Sequence, residues 1–490
     1  MLSIRFIPLA MAFLAVLSVA QDQQPHKFAS PADRFKTLVY FAGTDGAEPT
    51  ASLIQGTDGN YYGTTEFGGA YGGGAVFKVT PGGALTTLYS FCSLPKCADG
   101  GDLWAPLIQG TDGNFYGTAE NGGVNGQGCY GSCGTVFRIT PAGKLTTLHS
   151  FHGDDGANPY AGLVQATDGN LYGATSSGGA NSCGIVFKIT PGGKLTLLYN
   201  FGSKAYWTDG CGPLAGLMQA TDGDFYGTTA DGGANYLGCN GYGCGTVFKI
   251  TAGGKLKTLY GFCSRTNCAD GATPYAGLLQ ASNGDFYGTT YQGGGSLSCR
   301  SGCGTVFKIT AGGRLTKLHT FQNGAGEEWP FAGLIQATDG NLYGTTSYTV
   351  FKIAPSGRLT TLHHFNGNNG GNLAGGLVQA TNGKFYGTTS DGGSRNCDMG
   401  CGTIFSLSVG LGPFVETQPT SSKVGAAVKI LGTDLTGATS ITFNGTASKF
   451  EIVSKSLIKA TVPTGATTGT VEVTIPRGTL NSNVVFRVTK

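Results

Sequence analysis

Charge is what this 490-residue chain has least of: 12% of it is Asp, Glu, Lys or Arg, and 31 basic residues nearly cancel 28 acidic ones to leave +3. No basic run or stripe occurs, so nucleic acid is not an expected partner. Long apolar runs are also missing, with one exception at the start. There Arg5, the apolar residues 6–17 and the small residues Ser18-Val19-Ala20 before Gln21 have the order of an export signal. That run is short for a bilayer core of about 30 Å. With no second run and no sorting tail after Phe486, the expectation is a mature protein outside the cytoplasm, without a membrane span once residues 1–20 are removed. Helical periodicity is absent too, which leaves strands and turns.

Histidine numbers only six, and their placement offers little for catalysis. His149, His319 and His363 stand in register with Tyr89, Tyr199 and Tyr260, as interchangeable packing residues. His364 is a neighbour of the last, and His26 precedes the repeats. Only His152 reaches the variable loops. Serine, lysine and histidine do not converge at matching positions, so no catalytic set is expected.

What the chain has in abundance is glycine (86) and cysteine (14). The glycines are periodic. A unit is clearest at residues 161–201, AGLVQATDGNLYGATSSGGANSCGIVFKITPGGKLTLLYNF. Its tyrosine recurs at Tyr62, Tyr116, Tyr172, Tyr226, Tyr287, Tyr343 and Tyr386. Its V-F-K phenylalanine recurs at Phe77, Phe137, Phe187, Phe248, Phe307, Phe351 and Phe405. Each unit divides into four strand-like runs. Asp168-Gly169 turns the first into the second, and Pro191-Gly192-Gly193 turns the third into the fourth. Four short strands at this repeat length predict a β-propeller.

The phase of the repeats at the two ends adds a ring. After the seventh unit the fourth-strand motif is missing, yet a stray copy, Phe35-Lys36-Thr37-Leu38-Val39-Tyr40-Phe41, precedes the first. An N-terminal strand completing the last blade would close a seven-bladed propeller over residues 35–411 and remove its open sheet edges. Residues 21–34 are then a linker.

The cysteines all lie among the repeats, and their even number in an exported chain predicts disulfides. The expected pairs are Cys92–Cys97, Cys129–Cys133, Cys239–Cys244, Cys263–Cys268, Cys299–Cys303 and Cys397–Cys401. Cys183 and Cys211, the two left over, make the seventh. Metal binding is the rival use of such spacings, but no histidine or second pair stands at ligand distance in sequence, and neither a metal nor a cofactor is expected.

The A-G-L-x-Q-A-T-D-G-N-L-Y-G-T-T and G-T-V-F-K-I-T-P-G-G motifs resemble the bacterial tandem-repeat family called GloVer, across residues 35–409. That resemblance implies an exported protein. From residue 412 the composition shifts. Residues 425–435 (GAAVKILGTDL), Ile441-Thr442-Phe443-Asn444-Gly445 and Gly465-Ala466-Thr467-Thr468-Gly469 follow in an order similar to an IPT/TIG domain. This implies an immunoglobulin-like sandwich over 412–490, serving as spacer or docking unit.

Tight turns fall on one face of the expected disc. The second-to-third loops and the crossovers between units fall on the other, together with every cysteine. Three tryptophans lie in the crossovers. Trp104 shares its place with Tyr160, Tyr275 and Phe331, which suggests packing. Trp329 replaces Glu48, Asp102 and Asn158, and Trp207 has no evident counterpart, so both are candidate platforms for sugars. The sixth unit lacks its long loop, which predicts a notch beside Glu327, Glu328 and Trp329. Crossover residues Asp45, Asp99, Asp155, Asp209 and Asp270 suit Asx-type turns better than a calcium ring.

These features point to a non-enzymatic extracellular binding or adhesion protein with carbohydrate as ligand class and an extracellular polysaccharide or surface protein as partner. The ligand-binding candidates are Trp329, Glu327, Glu328, Trp207, Trp104 and His152. Two alternatives remain open. One is a propeller hydrolase or lyase, acting on an extracellular sugar or small molecule, that uses His152 with Glu327, Glu328 or a crossover aspartate. The other is a structural envelope protein.

Overall fold

The computed structural model describes residues 34–489 except 125–132, 234–238, 296–298, 300, 325, 394–396 and 398. The expected export signal and, Arg34 aside, the linker lie outside these residues. The third repeat shows how one unit is made. Strands Val164–Gln165, Leu171–Thr175, Ile185–Ile189 and Leu195–Asn200 pair in chain order as an antiparallel sheet. The turn between the first two is held by one carboxylate. Asp168 accepts the Asn170 backbone N–H at 3.0 Å, its Nδ2 at 2.8 Å and the Tyr172 hydroxyl at 2.9 Å. Gly169 supplies the positive φ of 81°. The recurring D-G-N-x-Y string is therefore a single hydrogen-bonded turn.

Among the described residues seven four-stranded sheets of this propeller-like kind precede residue 411. In the last of them the outer strand comes from the far end of the chain. Phe35–Tyr40 pairs antiparallel with Thr403–Leu407, placing Phe35 opposite Leu407 and Tyr40 opposite Thr403. The expected closure by an N-terminal strand is thus formed.

Adjacent sheets are tied by three repeated devices. The fourth-strand phenylalanine of one sheet packs on the V-F-K phenylalanine of the next, from Phe41–Phe77 at 5.2 Å to Phe365–Phe405 at 5.1 Å. Each such pair contributes about 0.5–1.5 kcal/mol beyond its buried area. Glutamine side chains accept backbone N–H groups from the preceding sheet, as in Thr57 to Gln109 and Thr167 to Gln219. The last bond, Thr381 to Gln55 at 2.9 Å, returns to the first sheet. Third, a buried threonine hydroxyl reaches the next crossover, as Thr64 to the Ala105 carbonyl and Thr388 to that of Ala51. Ala174 occupies this position in the third sheet.

The glycine after each repeated tyrosine has a packing cause. A Cβ on Gly227 would stand 2.6 Å from Phe248 Cζ and 2.9 Å from Leu217 Cδ2. The ring of the third strand lies flat over the second, and only a bare Cα leaves room for it.

Beyond the repeats, two four-stranded sheets form a sandwich. One orders Glu416–Gln418, Ala427–Leu431, Leu457–Thr461 and Phe450–Ser454, and the other Thr446–Ala447, Ser440–Phe443, Val471–Ile475 and Gly478–Asn481. Val471, Val473 and Ile475 are buried, while Glu472 is exposed and Thr474 partly so, the alternation of a half-covered strand. The shared core includes Val428, Ile430, Ile458, Val473 and Phe486. The sandwich seats on the tight-turn face. Ser456 Oγ donates to the Thr57 carbonyl, Lys429 Nζ to that of Thr111 and Arg487 to that of Thr221, while Thr381 and Thr433 hydroxyls meet at 2.9 Å. Those contacts reach the first, second, fourth and seventh sheets. No helix among the described residues is long and apolar enough to cross a membrane.

Candidate functional site

With the sandwich on the tight turns, the crossovers and long loops occupy the opposite ends of the strands. Their outer part is built for rigidity. Asp99, Asp209 and Asp270 are buried. Each accepts a tyrosine hydroxyl (Tyr89, Tyr199, Tyr260), a serine hydroxyl and two backbone N–H groups. The aspartates therefore lock turns as expected, but not as Asx turns: their backbone donors lie five and six residues upstream, not two residues on. Asp155 has the same task with different donors. His149 Nε2 stands at 2.8 Å and His152 Nε2 at 3.1 Å from the same oxygen. Burial raises the Asp155 carboxyl, but these partners outweigh it and hold it below the ordinary aspartate value.

Six of the expected disulfides are present: Cys92–Cys97, Cys183–Cys211, Cys239–Cys244, Cys263–Cys268, Cys299–Cys303 and Cys397–Cys401. Cys129 lies outside the described residues, and with it the Cys129–Cys133 pair. The sulfurs of Cys239, Cys244, Cys263 and Cys268 all fall within 4.8 Å of one another. Sequence spacing gave no sign of this second pair, because folding brings two separate loops together. Both pairs are oxidised here, and a disulfide lacks the thiolates a metal needs.

The same loop frame corrects the reading of Trp207. It does have counterparts, Cys97 and Cys268. All three end a short turn with positive φ (51°, 52° and 49°), and their carbonyls accept equivalent glycine N–H groups. Where two crossovers close on themselves through a disulfide, this one has Gly202 and a partly buried indole, which stacks on Tyr242 at 6.5 Å, and its own Cys211 bonds instead to Cys183 in the preceding long loop. The signal was present in the alignment of S-K-A-Y-W-T-D-G with S-L-P-K-C-A-D-G, hidden by the change of residue type.

The inner part of the crossovers surrounds the axis. A cavity of about 290 Å³ is lined there by all seven sheets, including Thr50, Trp104, Tyr160, Leu214, Tyr275 and Phe331. Trp104 and Tyr160 stack at 4.9 Å. Across the cavity Tyr275 packs against Phe331 at 5.2 Å and Tyr291 at 4.9 Å, and Tyr291 meets Trp329 at 6.4 Å. Trp104 thus lines the cavity, Trp329 stands behind the Tyr275–Phe331 wall through Tyr291, and Trp207 and His152 belong to the outer turns. Glu327 accepts a hydrogen bond from Thr361, and buried Glu328 leaves Oε2 without a partner among the described residues. Where the sixth unit lacks its long loop, the exposed Tyr348 stands close to Gly326 and Gly371, and its backbone carbonyl accepts the Phe365 N–H.

Two carboxylates that the sequence reading passed over, Glu66 and Glu120, couple to Glu48 and Asp102 beside Trp104. Glu66 is only 5% exposed. Burial first, then Glu48, Asp102 and Glu120, push its carboxyl up to about 8. Burial and Asp102 raise Glu120, against a hydrogen bond from the Trp104 indole. Burial and Asp391 raise Glu48. Glu66 and Glu120 both stand four residues after the repeated tyrosine, where later repeats have Ser, Ala or Tyr. A comparison of repeats position by position would have exposed them.

The Gloeobacter/Verrucomicrobia repeat matches residues 26–132, 127–349, 207–394 and 302–449, and the IPT/TIG domain matches 415–488. No curated protein matches significantly in sequence. Among solved structures, a fungal alcohol oxidase of the AA5 family, in complex with copper, aligns at 13% identity over 92% of this chain and 98% of its own, with a TM-score of 0.51. PorZ, a bacterial surface component of the type-IX secretion system of Porphyromonas gingivalis, aligns at 14% identity over 92% of this chain and 61% of its own, with a TM-score of 0.46. A putative glucose dehydrogenase of Thermus thermophilus aligns at 14% over 76% and 99%, with a TM-score of 0.40.

Proposed function

This chain belongs to the Gloeobacter/Verrucomicrobia repeat family, and from that premise we propose that it is an extracellular, non-enzymatic binding or adhesion protein that takes carbohydrate on its long-loop face. In this reading the seven sheets are the blades of one closed seven-bladed propeller over 35–411. The immunoglobulin-like module over 412–490 spaces or docks it, by way of the tight-turn face.

The observation that carries the reading is the axial mouth. An aromatic-lined cavity walled by Trp104, Tyr160, Tyr275 and Phe331 has the composition of a sugar site, where rings stack on the apolar faces of the ligand. The disulfides support an oxidising compartment, and their position in the loops supports a preformed rim that loses little entropy on binding. The partner is then an extracellular polysaccharide or a glycosylated surface protein.

The test is a glycan-array screen of residues 21–490, with Trp104→Ala and Trp329→Ala as controls. Binding that both substitutions abolish supports the axial mouth as the site. Binding that survives both moves the site elsewhere on the surface, and a screen with no bound glycan overturns the carbohydrate reading.

A further inference from the structure

Among the described residues, the fourth sheet alone has a complete disulfide in its long loop and another in the crossover that follows. Cys239–Cys244 closes the loop between strands Phe225–Thr229 and Thr246–Ile250. Cys263–Cys268 closes the turn after strand Leu256–Gly261. Other blades show why the two pairs meet. A Cβ on Gly73, the counterpart of Cys244 in the first sheet, would stand 2.5 Å from the sulfur of Cys92, the counterpart of Cys263. In the third sheet the residue types are exchanged. There a Cβ on Gly202, the counterpart of Cys263, would stand 2.9 Å from the sulfur of Cys183, the counterpart of Cys244. The loop position and the crossover position are therefore in contact in both blades. Only the fourth carries cysteine at both, and its four sulfurs lie within 4.8 Å of one another. Cys244 is buried, and the other three are partly buried.

We propose that these four cysteines form a thiol–disulfide exchange centre, in which a small external thiol converts the two loop-closing bonds into the crossed bonds Cys244–Cys263 and Cys239–Cys268.

The steps balance without an oxidant or reductant. An external thiolate attacks the partly buried Cys268, forming a mixed disulfide and releasing Cys263 as a thiolate. Cys263 attacks the buried Cys244, which makes the first crossed bond and releases Cys239. Cys239 then attacks the mixed disulfide at Cys268, makes the second crossed bond and returns the external thiolate. A sulfur held this close outcompetes a dissolved one through its effective concentration. The bond from Cys244 to Cys263 would tie a long loop to its crossover, as Cys183–Cys211 already does in the third sheet. The pairing then decides whether these two loops of the rim are joined covalently or only by contact.

The experiment is native incubation of the full secreted chain with one equivalent of 2-mercaptoethanol at about pH 8, where the thiol is partly ionised. An acid quench, proteolysis without reduction and mass spectrometry then map the bonds. The expected result is peptides joined through Cys244–Cys263 and Cys239–Cys268, at least about tenfold more abundant than cross-links between any other two pairs. The single pairs Cys92–Cys97 and Cys299–Cys303 should stay as they are and serve as internal controls. A Cys239→Ser chain gives a second arm, because it leaves Cys244 as a thiol beside Cys263–Cys268. A bond from Cys244 to Cys263 or Cys268 should form in it with no thiol added. Retention of both original pairs in the treated parent overturns the proposal. So do cross-links spread evenly over all pairs, since exchange would then follow general unfolding.

Discussion

The two faces of the ring are made from the same seven repeats and have diverged to different degrees. On the tight-turn face the bonding repeats around the whole circle, and Gln55, Gln109, Gln165, Gln219, Gln280, Gln336 and Gln379 each accept an N–H from the preceding blade. At the crossovers a single structural position holds Glu48, Asp102, Asn158, Gly212, Thr273, Trp329 and Asn372. All seven keep the left-handed backbone, with φ from 49° to 63°. At these two positions the backbone is held constant on both faces, and side-chain identity varies widely only at the crossover. Closure of the ring imposes identical geometry on every blade, whereas a ligand site needs different groups at different angles around the axis.

The comparison breaks most sharply at the scaffold. Gly227→Val should destabilise the chain by more than about 3 kcal/mol through overpacking against Phe248 and Leu217, seen as a lower thermal midpoint and reduced secretion. A similar result for a glycine in an outer loop would undo the contrast between core and rim.

Next in size is an effect of pH on the acidic side. Glu66 has a folded value near 8, above that of an unfolded glutamate. Its contribution to stability is therefore present in full below about pH 4 and is lost as pH rises through 8. Glu66→Gln should melt several degrees above the parent at pH 9, with the gap closing by pH 5. A gap that is the same at both pH values would mean that Glu66 does not titrate as placed.

Smaller and of opposite sign to the glycine change is Ala174→Thr. The substitution restores the one hydroxyl missing from the crossover series, with the Ala215 carbonyl as its acceptor. It should add about 1 kcal/mol, measured by denaturant titration. The smallest effect is expected at His152, which lies away from the axial mouth and is half exposed. His152→Ala should leave glycan affinity within about twofold, and a larger loss would extend the site to the outer turns.

Much of this was legible in the chain because repetition makes it so. Seven turns of the form D/N-G-x-x-Y and seven V-F-K motifs or close variants mark the strands, and the displaced fourth-strand motif at Phe35 marks the closure. The candidate site was less legible. Glu327, Glu328 and Trp329 stand out as neighbours in sequence, yet Thr361 engages Glu327, and Trp329 reaches the axis only through Tyr291. Glu66 and Glu120, separated by a whole repeat, attracted no notice. Trp207 looked unique because its counterparts are cysteines.

By itself, then, the sequence determined the strand pattern, the ring closure, the sandwich that follows and the cysteine pairs close in the chain, since each depends on local spacing and short-range turn chemistry. Only the tertiary structure decided which crossover side chains meet. Residues dozens of positions apart become neighbours around an axis that no single repeat contains, and burial there, more than residue type, sets the protonation and the reach of the groups that face a ligand.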